Sequence, residues 1–303
     1  MRKASDCLVN VIIVTYNQKD YVVEAMNSVL SQDYEKIKII VSDDCSTDGT
    51  VDLIKEYSKK YPKKIIPLFS DRNLGLTQNI DRATKHCEGK YISHLGGDDM
   101  MLKDKISNQV EFMERNPDCS ICYHDVLAFD SDTKQTLYYF SKRNKPRQGG
   151  IKTMIGYGSF NCGSSNMFRA SSLPSSGFDK RVPIASDWLY CVETLAGGGQ
   201  IMYIDKTLAK YRRHSKSITA SSSSSSNDIN LPQEDHFISC AILLARFPKY
   251  YLSLRYRQSF LLLNTACNYK RNYLKYLLIS IIKFPTFYNI RALFLNLLMG
   301  KKL

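Results

Sequence analysis

The sequence predicts an α/β protein built on a mostly parallel sheet with helices on both faces. Strand-like runs alternate with amphipathic helical stretches through the first 95 residues, and this order is typical of a doubly wound sheet. The four predicted strands span residues 8–15, 37–42, 65–69 and 91–95. The second of them is almost entirely apolar, which indicates a strand that is buried on both faces. Helices are expected at 21–31, from 46 past 57, and after a turn at 73–76 to about 87.

The second half of the chain continues with weaker signals. We expect a helix at 104–116, a hairpin of strands at 121–129 and 136–140, a basic loop at 143–150 and a small polar loop at 161–165. A helix follows within 182–196, and short strands follow at 200–204 and 208–211. The serine run 221–226 is typical of a flexible linker. Helices rich in Tyr, Leu and Arg are predicted after it.

Composition and cysteine use indicate a cytoplasmic globular protein. Hydrophobic residues make up 44% of the 303, and no run approaches the roughly 20 apolar residues that span a bilayer. The N-terminal residues do not resemble a secretory signal. Nine scattered cysteines are expected to be reduced thiols. Cys119 and Cys122 have the spacing of metal ligands, but no second pair completes a zinc site.

The charge of the chain is concentrated at its C-terminal end. The formal net charge is +13, and residues 237–303 carry many Lys and Arg and almost no acid, interleaved with Tyr, Phe and Leu. This pattern favours an anionic membrane surface over nucleic acid as the partner. The alternatives are helices that pack on the rest of the protein or that form a homodimer.

Polar residues follow each predicted parallel strand. They are Thr15-Tyr16-Asn17, Asp43-Asp44, Asp71-Arg72-Asn73 and Asp98-Asp99. In doubly wound sheets, ligands bind beyond the carboxyl ends of the strands. The four clusters therefore predict one binding site at that edge of the sheet.

The pair Asp98-Asp99 follows Gly96-Gly97, which permit a turn and a close approach of a ligand. Adjacent carboxylates raise each other's pKa, and a hard divalent cation relieves that cost. We therefore expect Mg²⁺ or Mn²⁺, accompanied by substrate phosphates. The alternative is a solvated acidic turn.

Five segments, in this order and at this spacing, resemble the large family 2 of inverting glycosyltransferases, which have the GT-A fold. The segments are Val14-Thr15-Tyr16-Asn17, Ser28-Val29-Leu30-Ser31-Gln32, residues 41–50, Asn73-Leu74-Gly75 and Gly97-Asp98-Asp99. The resemblance is specific over about residues 9–125. It is weaker through Ser186-Asp187-Trp188 and residues 211–215, and it stops before residue 221.

The resemblance implies roles for individual residues. Tyr16 would pack on the nucleotide base and Asp44 would accept a hydrogen bond from it. Asp98 and Asp99 would hold the metal and the ribose, with Asp99 as the direct metal ligand. Asp187 would deprotonate the acceptor hydroxyl; its alternative is to cap the following helix.

Further residues belong to the expected nucleotide-sugar site. Arg212 and His214 would reach the diphosphate by the same resemblance. Thr15, Asn17 and Asn73 are expected there because they lie in the strand-end clusters.

The chain departs from the family pattern at two positions. Gly96-Gly97 stand where many members have an Asp before the pair, and Ser186 replaces a Glu. The first departure leaves open a non-catalytic nucleotide- or carbohydrate-binding subunit with the same fold. A nucleotidyltransferase would need a Gly-rich phosphate loop after the first strand, and residues 14–17 contain no glycine.

The expected organisation is a glycosyltransferase domain at 1–218, with a nucleotide-sugar half at 1–125 and an acceptor half at 126–218. A linker and a basic helical region would follow at 219–303. The expected donor is UDP-linked, with an α linkage that becomes β. The expected acceptor is a polyprenyl-diphosphate-linked saccharide on the inner face of a bacterial plasma membrane, in O-antigen or capsule synthesis.

Overall fold

A computed structural model describes residues 7–215, 217, 231–268 and 272–299. Within these residues, nine strands form one sheet in the order β3-β2-β1-β4-β8-β6-β9-β5, and β7 pairs with the far end of β6. The strands are β1 Val9–Thr15, β2 Ile37–Asp43, β3 Ile65–Phe69, β4 Tyr91–Gly96, β5 Met100–Met101, β6 Cys119–Asp130, β7 Thr136–Tyr139, β8 Met167–Arg169 and β9 Gln200–Arg213.

Helices cover the sheet and extend beyond it. Those of the first half are α1 Val22–Leu30, α2 Thr50–Lys60, α3 Leu76–Thr84 and α4 Lys105–Arg115. Those of the second half are α5 Phe140–Arg143, α6 Ile151–Tyr157, α7 Ser186–Ala196, α8 Leu231–Arg246, α9 Tyr251–Asn268, α10 Tyr273–Lys283 and α11 Phe287–Met299.

The first four strands confirm the predicted parallel sheet. Strand β1 lies between β2 and β4, and its register pairs Thr15 with Asp43 and Val14 with Gly96. The strands therefore end side by side, and the polar residues that follow them lie at one edge. Ile13 and Ile12 enter core clusters on opposite faces of the sheet, as expected for a strand covered on both sides.

The second half of the sheet is mixed rather than parallel. Strand β8 runs antiparallel to both β4 and β6, whereas β6 and β9 are parallel. The predicted hairpin of β6 and β7 is confirmed. The two short strands predicted at 200–204 and 208–211 form one strand, β9, because irregular pairing around Asp125 lets it follow β6 without a break. Strand β8 has three residues, too few for a periodic signal in the sequence.

Helices α8 and α9, which come after residues 218–230, share a hydrophobic core with the rest of the protein. Trp188 and Leu189 of α7 cluster with Cys240 and Leu243 of α8 and with Leu254 of α9. Helices α8 and α9 therefore pack on the predicted glycosyltransferase part, as one sequence alternative proposed. The predicted linker at 221–226 lies outside the described residues.

Helices α10 and α11 continue from α9 through a smaller cluster. Ala266, Tyr273, Leu277 and Ala292 are its buried members. In the part of the chain that the structure describes, every helix is too short or too polar to cross a bilayer.

Candidate functional site

A cleft of about 400 Å³ opens where the parallel strands end. Its floor is apolar and includes Ile12, Val14 and Leu95. Nine of the ten residues predicted for the site line it. They are Thr15, Tyr16, Asn17, Asn73, Asp44, Asp98, Asp99, Asp187 and His214. Residues that are distant in the sequence thus meet in one concave site, as nucleotide-binding α/β proteins require.

The loop after β1 is fixed to the loop after β2. The Asn17 backbone N–H donates to Ser46 Oγ (2.8 Å), and Asn17 Oδ1 accepts from the Thr47 N–H (2.9 Å). Asn17 has a φ of 51°, a left-handed conformation that Asn tolerates better than most residues. The neighbouring Tyr16 ring is left half-exposed at the cleft, where a planar base could stack on it.

Asp44 holds the turn that precedes α3. Its Oδ1 accepts the N–H of Leu74 (2.7 Å) and its Oδ2 accepts the N–H of Gly75 (2.8 Å). Asn73 Oδ1 also accepts the Gly75 N–H, at 3.0 Å. Asp44 is almost fully buried. The sequence did not indicate this bracing role, so a change at Asp44 would affect a bound base directly and through the turn.

Close packing against β1 requires the second of the two glycines before the carboxylate pair. A Cβ atom on Gly97 would lie 2.9 Å from the Val14 carbonyl oxygen and 2.8 Å from Thr15 Cβ. A Cβ atom on Gly96 would lie 2.8 Å from Asp98 Oδ1. The departure from the family pattern therefore gives the carboxylates room and lets the loop approach β1.

Asp99 is the buried member of the pair. Its Oδ1 accepts the Arg212 backbone N–H (3.0 Å), and its Oδ2 accepts the Ser164 hydroxyl hydrogen. Ser164 Oγ in turn accepts the Gly96 N–H (3.1 Å). Burial, reinforced by the charge of Asp98, raises the pKa of Asp99 well above its usual value. The predicted small polar loop at 161–165 thus contributes Ser164, which positions Asp99.

Asp98 is the more accessible member. Its Oδ2 lies 2.9 Å from His214 Nε2, and the His214 ring packs on Tyr21 with centroids 4.7 Å apart. Among the described residues, no donor reaches Asp98 Oδ1. This oxygen therefore has unused capacity to accept a hydrogen bond or to bind a cation.

Arg212 lies elsewhere than the resemblance implied. Its side chain is fully buried, its Nε donates to the Asp98 carbonyl (2.8 Å), and its guanidinium pairs with Glu24. The guanidinium also packs over the rings of Tyr21 (4.7 Å) and Phe129 (4.8 Å). Neighbouring residues of a strand point to opposite faces, so Arg212 points away from the cleft that Tyr211 lines. Arg212 braces the carboxylate loop, and contact with a diphosphate at the cleft does not fit this position.

The carboxylate pair fits a hard divalent cation. Carboxylate oxygens are the ligands that Mg²⁺ and Mn²⁺ prefer, and both Asp98 and Asp99 line the cleft. No group of three or more metal-binding side chains occurs among residues 7–215, 217, 231–268 and 272–299. Phosphate and water would supply the other ligands, as is usual for Mg²⁺ at phosphate sites. Asp98 is the more exposed carboxylate, and among the described residues it lies within hydrogen-bond distance of His214 alone, whereas Asp99 accepts two hydrogen bonds. Asp98 therefore has more free acceptor capacity, and we expect it to be the direct ligand, where the resemblance implied Asp99.

Replacing Asp99 with asparagine should stabilise the metal-free protein at neutral pH. A carboxyl whose pKa is raised on folding destabilises the fold once ionised, and this penalty grows as the pH rises from the unfolded value of 3.8 through the folded one. The variant should melt higher than wild type by roughly 2–4 °C for each kcal/mol of penalty removed. Calorimetry in EDTA at several pH values would measure the difference. A difference that does not shrink towards pH 4 would contradict an ionisation penalty.

Asp187 lies on the other side of the cleft, in the first turn of α7. Its Oδ1 accepts the N–H of Trp188 (2.7 Å), and Ala185 is the N-cap residue of the helix. Asp235 of α8 accepts the N–H groups of Ile184 and Ala185, both at 2.7 Å. Asp187 is not the N-cap residue, but it does satisfy one N–H of the first turn, and Asp235 satisfies the N–H groups of the two residues before the helix.

The setting of Asp187 alters its acidity. Asp187 is exposed to the space inside the cleft, and the protein that forms the cleft walls surrounds that space. Burial raises the pKa of Asp187, and the N–H of Trp188 opposes the increase. Because water in the cleft still reaches the carboxylate, the increase is smaller than it would be for a fully enclosed group. The Trp188 ring points into the core, where its Nε1 donates to the Met154 carbonyl (2.9 Å).

Four buried polar atoms of the cleft have no hydrogen-bond partner among the described residues. They are Thr15 Oγ1, Gln18 Oε1, His94 Nε2 and His214 Nδ1. Buried polar groups are nearly always paired, so these atoms point to a polar ligand. Burial and the charge of Lys105 lower the pKa of His94 to about 3, so its ring is neutral. No motif in the sequence indicated a role for Gln18 or His94.

The chain matches the sequence model described as "Glycosyl transferase family 2" over residues 10–175. An uncharacterized protein of Mycobacterium tuberculosis is 28% identical over 211 residues, which are 69% of this chain and 60% of that protein. The putative teichuronic acid biosynthesis glycosyltransferase TuaG of Bacillus subtilis is 36% identical over 124 residues, which are 41% of this chain and 49% of TuaG.

A relative with a more specific name is WfaP of Escherichia coli. It is named a UDP-Glc:alpha-D-GlcNAc-diphosphoundecaprenol beta-1,3-glucosyltransferase, and it is 41% identical over 107 residues, which are 35% of this chain and 41% of WfaP. The chain thus aligns with less than two thirds of the length of each of these three relatives.

Two solved structures resemble the whole described fold. TarS 1–349 of S. aureus, solved with UDP-GlcNAc, gives a TM-score of 0.66 at 16% identity and covers 97% of this chain and 92% of that one. The mannosyltransferase PcManGT of Pyrobaculum calidifontis was solved with GDP-Man and Mn²⁺. It gives a TM-score of 0.65 at 16% identity, and the match covers 98% of this chain and 82% of PcManGT. This likeness establishes the GT-A fold, and because the family model matches more than half of the sequence, the chain belongs to glycosyl transferase family 2.

Proposed function

We propose that the protein transfers a sugar from a nucleotide sugar to a hydroxyl of a saccharide acceptor, with inversion at the anomeric carbon. The observation that carries this proposal is the placement of two kinds of carboxylate in one cleft. Asp98 and Asp99 form a pair suited to a cation and a diphosphate, and Asp187 stands alone on another element, with a raised pKa. A leaving group and an acceptor need these two different environments.

The donor nucleotide occupies the loops after β1 and β2. Tyr16 stacks on the base, the unpartnered hydroxyl of Thr15 binds the nucleotide, and the turn held by Asp44 closes the base site. A uridine nucleotide is favoured because TarS was solved with UDP-GlcNAc and the name of WfaP specifies UDP-Glc.

The leaving diphosphate lies by Asp98. Bound through Asp98, with Asp99 behind it, Mn²⁺ or Mg²⁺ would neutralise the charge that develops on the diphosphate. His214 lies beside Asp98, where it can also contact a phosphate oxygen. Arg212 keeps the loop in place through the Asp98 carbonyl and the Asp99 carboxylate.

Asp187 is the general base. As the acceptor oxygen forms its bond to C1, the bond from C1 to the diphosphate oxygen breaks and the hydroxyl proton passes to Asp187. Direct displacement inverts the configuration, so an α-linked donor gives a β-linked product. A carboxylate whose pKa is raised towards neutrality is a better base than an ordinary exposed one.

The proposed acceptor is a lipid-linked saccharide in the synthesis of a bacterial surface polysaccharide. Two relatives support this: the name of WfaP specifies a diphosphoundecaprenol-linked sugar, and that of TuaG specifies teichuronic acid biosynthesis. The non-catalytic alternative was based on Gly96-Gly97, and close packing against β1 now explains Gly97.

A panel of nucleotide sugars tests the proposal. With Mn²⁺ present, one UDP-sugar should raise the melting temperature of the full chain more than UDP alone, and the transfer product should have the opposite anomeric configuration by proton NMR. Stabilisation by no member of the panel, or a product that retains configuration, would contradict it.

Replacing Asp44 with asparagine should weaken UDP binding by about 10–150-fold. A hydrogen bond to a charged group contributes about 1.5–3 kcal/mol, and the amide also supports the Leu74–Gly75 turn less well. Calorimetric titration with UDP measures the change. Asp71→Asn is the matched control, because Asp71 is exposed and does not line the cleft. Equal UDP affinity in wild type and Asp44→Asn would show that Asp44 has no part in the nucleotide site.

A further inference from the structure

Helix α10 has one buried face and, on a different face, an exposed apolar stripe. Tyr273, Leu277 and Ser280 are buried against the neighbouring helices. Leu274, Leu278 and Ile282 form a second stripe at helical spacing, and this stripe faces solvent; Ile282 is 75% exposed. A surface helix of a globular protein normally has charged or polar residues on its outer side. The outer stripe therefore requires a partner.

The neighbouring helices extend this apolar surface. Leu252, Tyr256 and Phe260 form a similar exposed stripe on α9, and Phe287 of α11 is 73% exposed. Arg255 of α9 ties the helices together by donating to the carbonyl of Lys283. Eleven of the seventeen exposed large hydrophobic residues in the described part of the chain lie on α9, α10 and α11. Isolated exposed apolar residues are ordinary, but a concentration of this kind marks an interaction surface.

The charge of this region has one sign. After Asp235 the sequence contains eleven Lys or Arg residues and no Asp or Glu. Lys275 and Arg291 are exposed on the same two helices as the apolar residues. An apolar surface that carries exposed cations matches an anionic lipid surface, where apolar side chains enter the headgroup region and cations pair with phosphate.

We propose that α9, α10 and α11 form a docking surface for an anionic lipid bilayer, which they bind from one side. The apolar stripes enter the boundary between headgroups and acyl chains, and exposed cations such as Lys275 and Arg291 contact the lipid phosphates. None of the described helices can cross the bilayer, so this attachment is peripheral.

A second copy of the chain fits this surface less well. In a two-fold dimer the same patch meets itself, so cations would face cations without a carboxylate from either helix region to pair with them. Interface centres are depleted of charge, whereas basic residues are distributed along these helices. Anionic lipid supplies the opposite charge.

The surface is connected to the helix that carries the proposed base. Arg257 of α9 lies over the Trp188 ring (5.7 Å), and Asp235 of α8 caps α7. Docking through α9 to α11 would keep the cleft near acceptors held in the membrane; this last consequence rests on the proposed function.

Vesicle sedimentation of the full chain tests the docking surface. Wild type should sediment with phosphatidylcholine vesicles that contain phosphatidylglycerol, far less with phosphatidylcholine alone, and high salt should release much of it. The double variant Leu278→Glu, Ile282→Glu should lose roughly tenfold or more in partitioning. Leu137→Glu makes the same change at a 48% exposed position of β7 and should bind like wild type.

A second variant and a second measurement keep the test decisive. Lys275→Glu with Arg291→Glu leaves the apolar stripes intact and should also lose vesicle binding, and UDP affinity should be unchanged in every variant that is folded. Vesicle binding needs no transfer, so it can succeed even if the proposed reaction is wrong. Wild type that ignores anionic vesicles, or variants that bind like wild type, would overturn the proposal. A stable dimer in sedimentation velocity that the Leu278 and Ile282 changes dissociate, without vesicle binding, would assign the surface to self-association.

Discussion

Asp187→Asn should reduce turnover by roughly 10²–10⁴-fold, the usual contribution of a positioned base, and should leave donor affinity nearly unchanged. Asparagine fills the same volume and can still accept the Trp188 N–H, so the first turn of α7 should be preserved. What is lost is the ability to take a proton from the acceptor hydroxyl. Single-turnover kinetics at saturating donor, with titration of UDP-sugar binding, separates the two effects.

Asp52→Asn is a matched control, because Asp52 is an exposed carboxylate in the first turn of α2 and does not line the cleft. It should leave turnover unchanged. If Asp187→Asn instead lost donor binding and kept turnover at saturation, the base would have to be another group. The other carboxylate of α7, Glu193, is buried and paired with Arg246.

The pH profile provides an independent check of the same role. Burial raises the pKa of Asp187, so ionised Asp187 becomes the major form at a higher pH than for an ordinary Asp. Turnover should therefore rise with pH through that raised value and then level off. The rise should be missing from the residual activity of Asp187→Asn. An identical profile in both proteins would assign the ionisation to another group.

Asp98→Asn should lower kcat/KM for transfer by at least about 10²-fold and remove the effect of Mn²⁺ on donor binding. Asp98 is the more exposed carboxylate and, in the part of the chain that the structure describes, lies beside His214 alone, whereas Asp99 is buried and accepts hydrogen bonds from Ser164 and Arg212. Asp99→Asn should therefore have a smaller effect than Asp98→Asn. It should lower metal affinity by about 10–100-fold, as expected for a group that orients a metal ligand. Titrating donor binding against Mn²⁺ in both variants shows which of the two substitutions weakens metal binding more. A larger effect at Asp99 than at Asp98 would reverse the assignment, and full activity in EDTA would exclude a metal role.

The parallel half of the sheet and its ligand edge could be predicted because local pattern determines them. Apolar runs such as residues 37–42 have few alternatives to a buried strand, and residues that follow parallel strands must meet at one edge. The strand-end clusters at Thr15, Asp44 and Asp98 accordingly line one cleft. Predicting that these residues lie close together required no knowledge of side-chain contacts.

Side-chain direction and long-range partners could not be predicted in this way. Arg212 and His214 are two positions apart in the sequence, but one is buried beneath the carboxylate loop and the other lines the cleft. Asp235 caps the start of α7 from 50 residues away, and no periodic signal reports such a contact. Which carboxylate of the Asp98-Asp99 pair faces a ligand likewise depends on Ser164, which comes from a distant loop.

Phosphorus NMR of a UDP-sugar incubated with the full chain, Mn²⁺ and a saccharide acceptor tests the central claim most directly. The account predicts that the donor signals are replaced by those of UDP with wild type, and that Asp187→Asn binds the same donor but forms UDP at least about 10²-fold more slowly. Release of pyrophosphate would indicate nucleotidyl transfer. A donor that binds and stays intact with every acceptor offered would indicate a binding subunit, and either result would contradict the account.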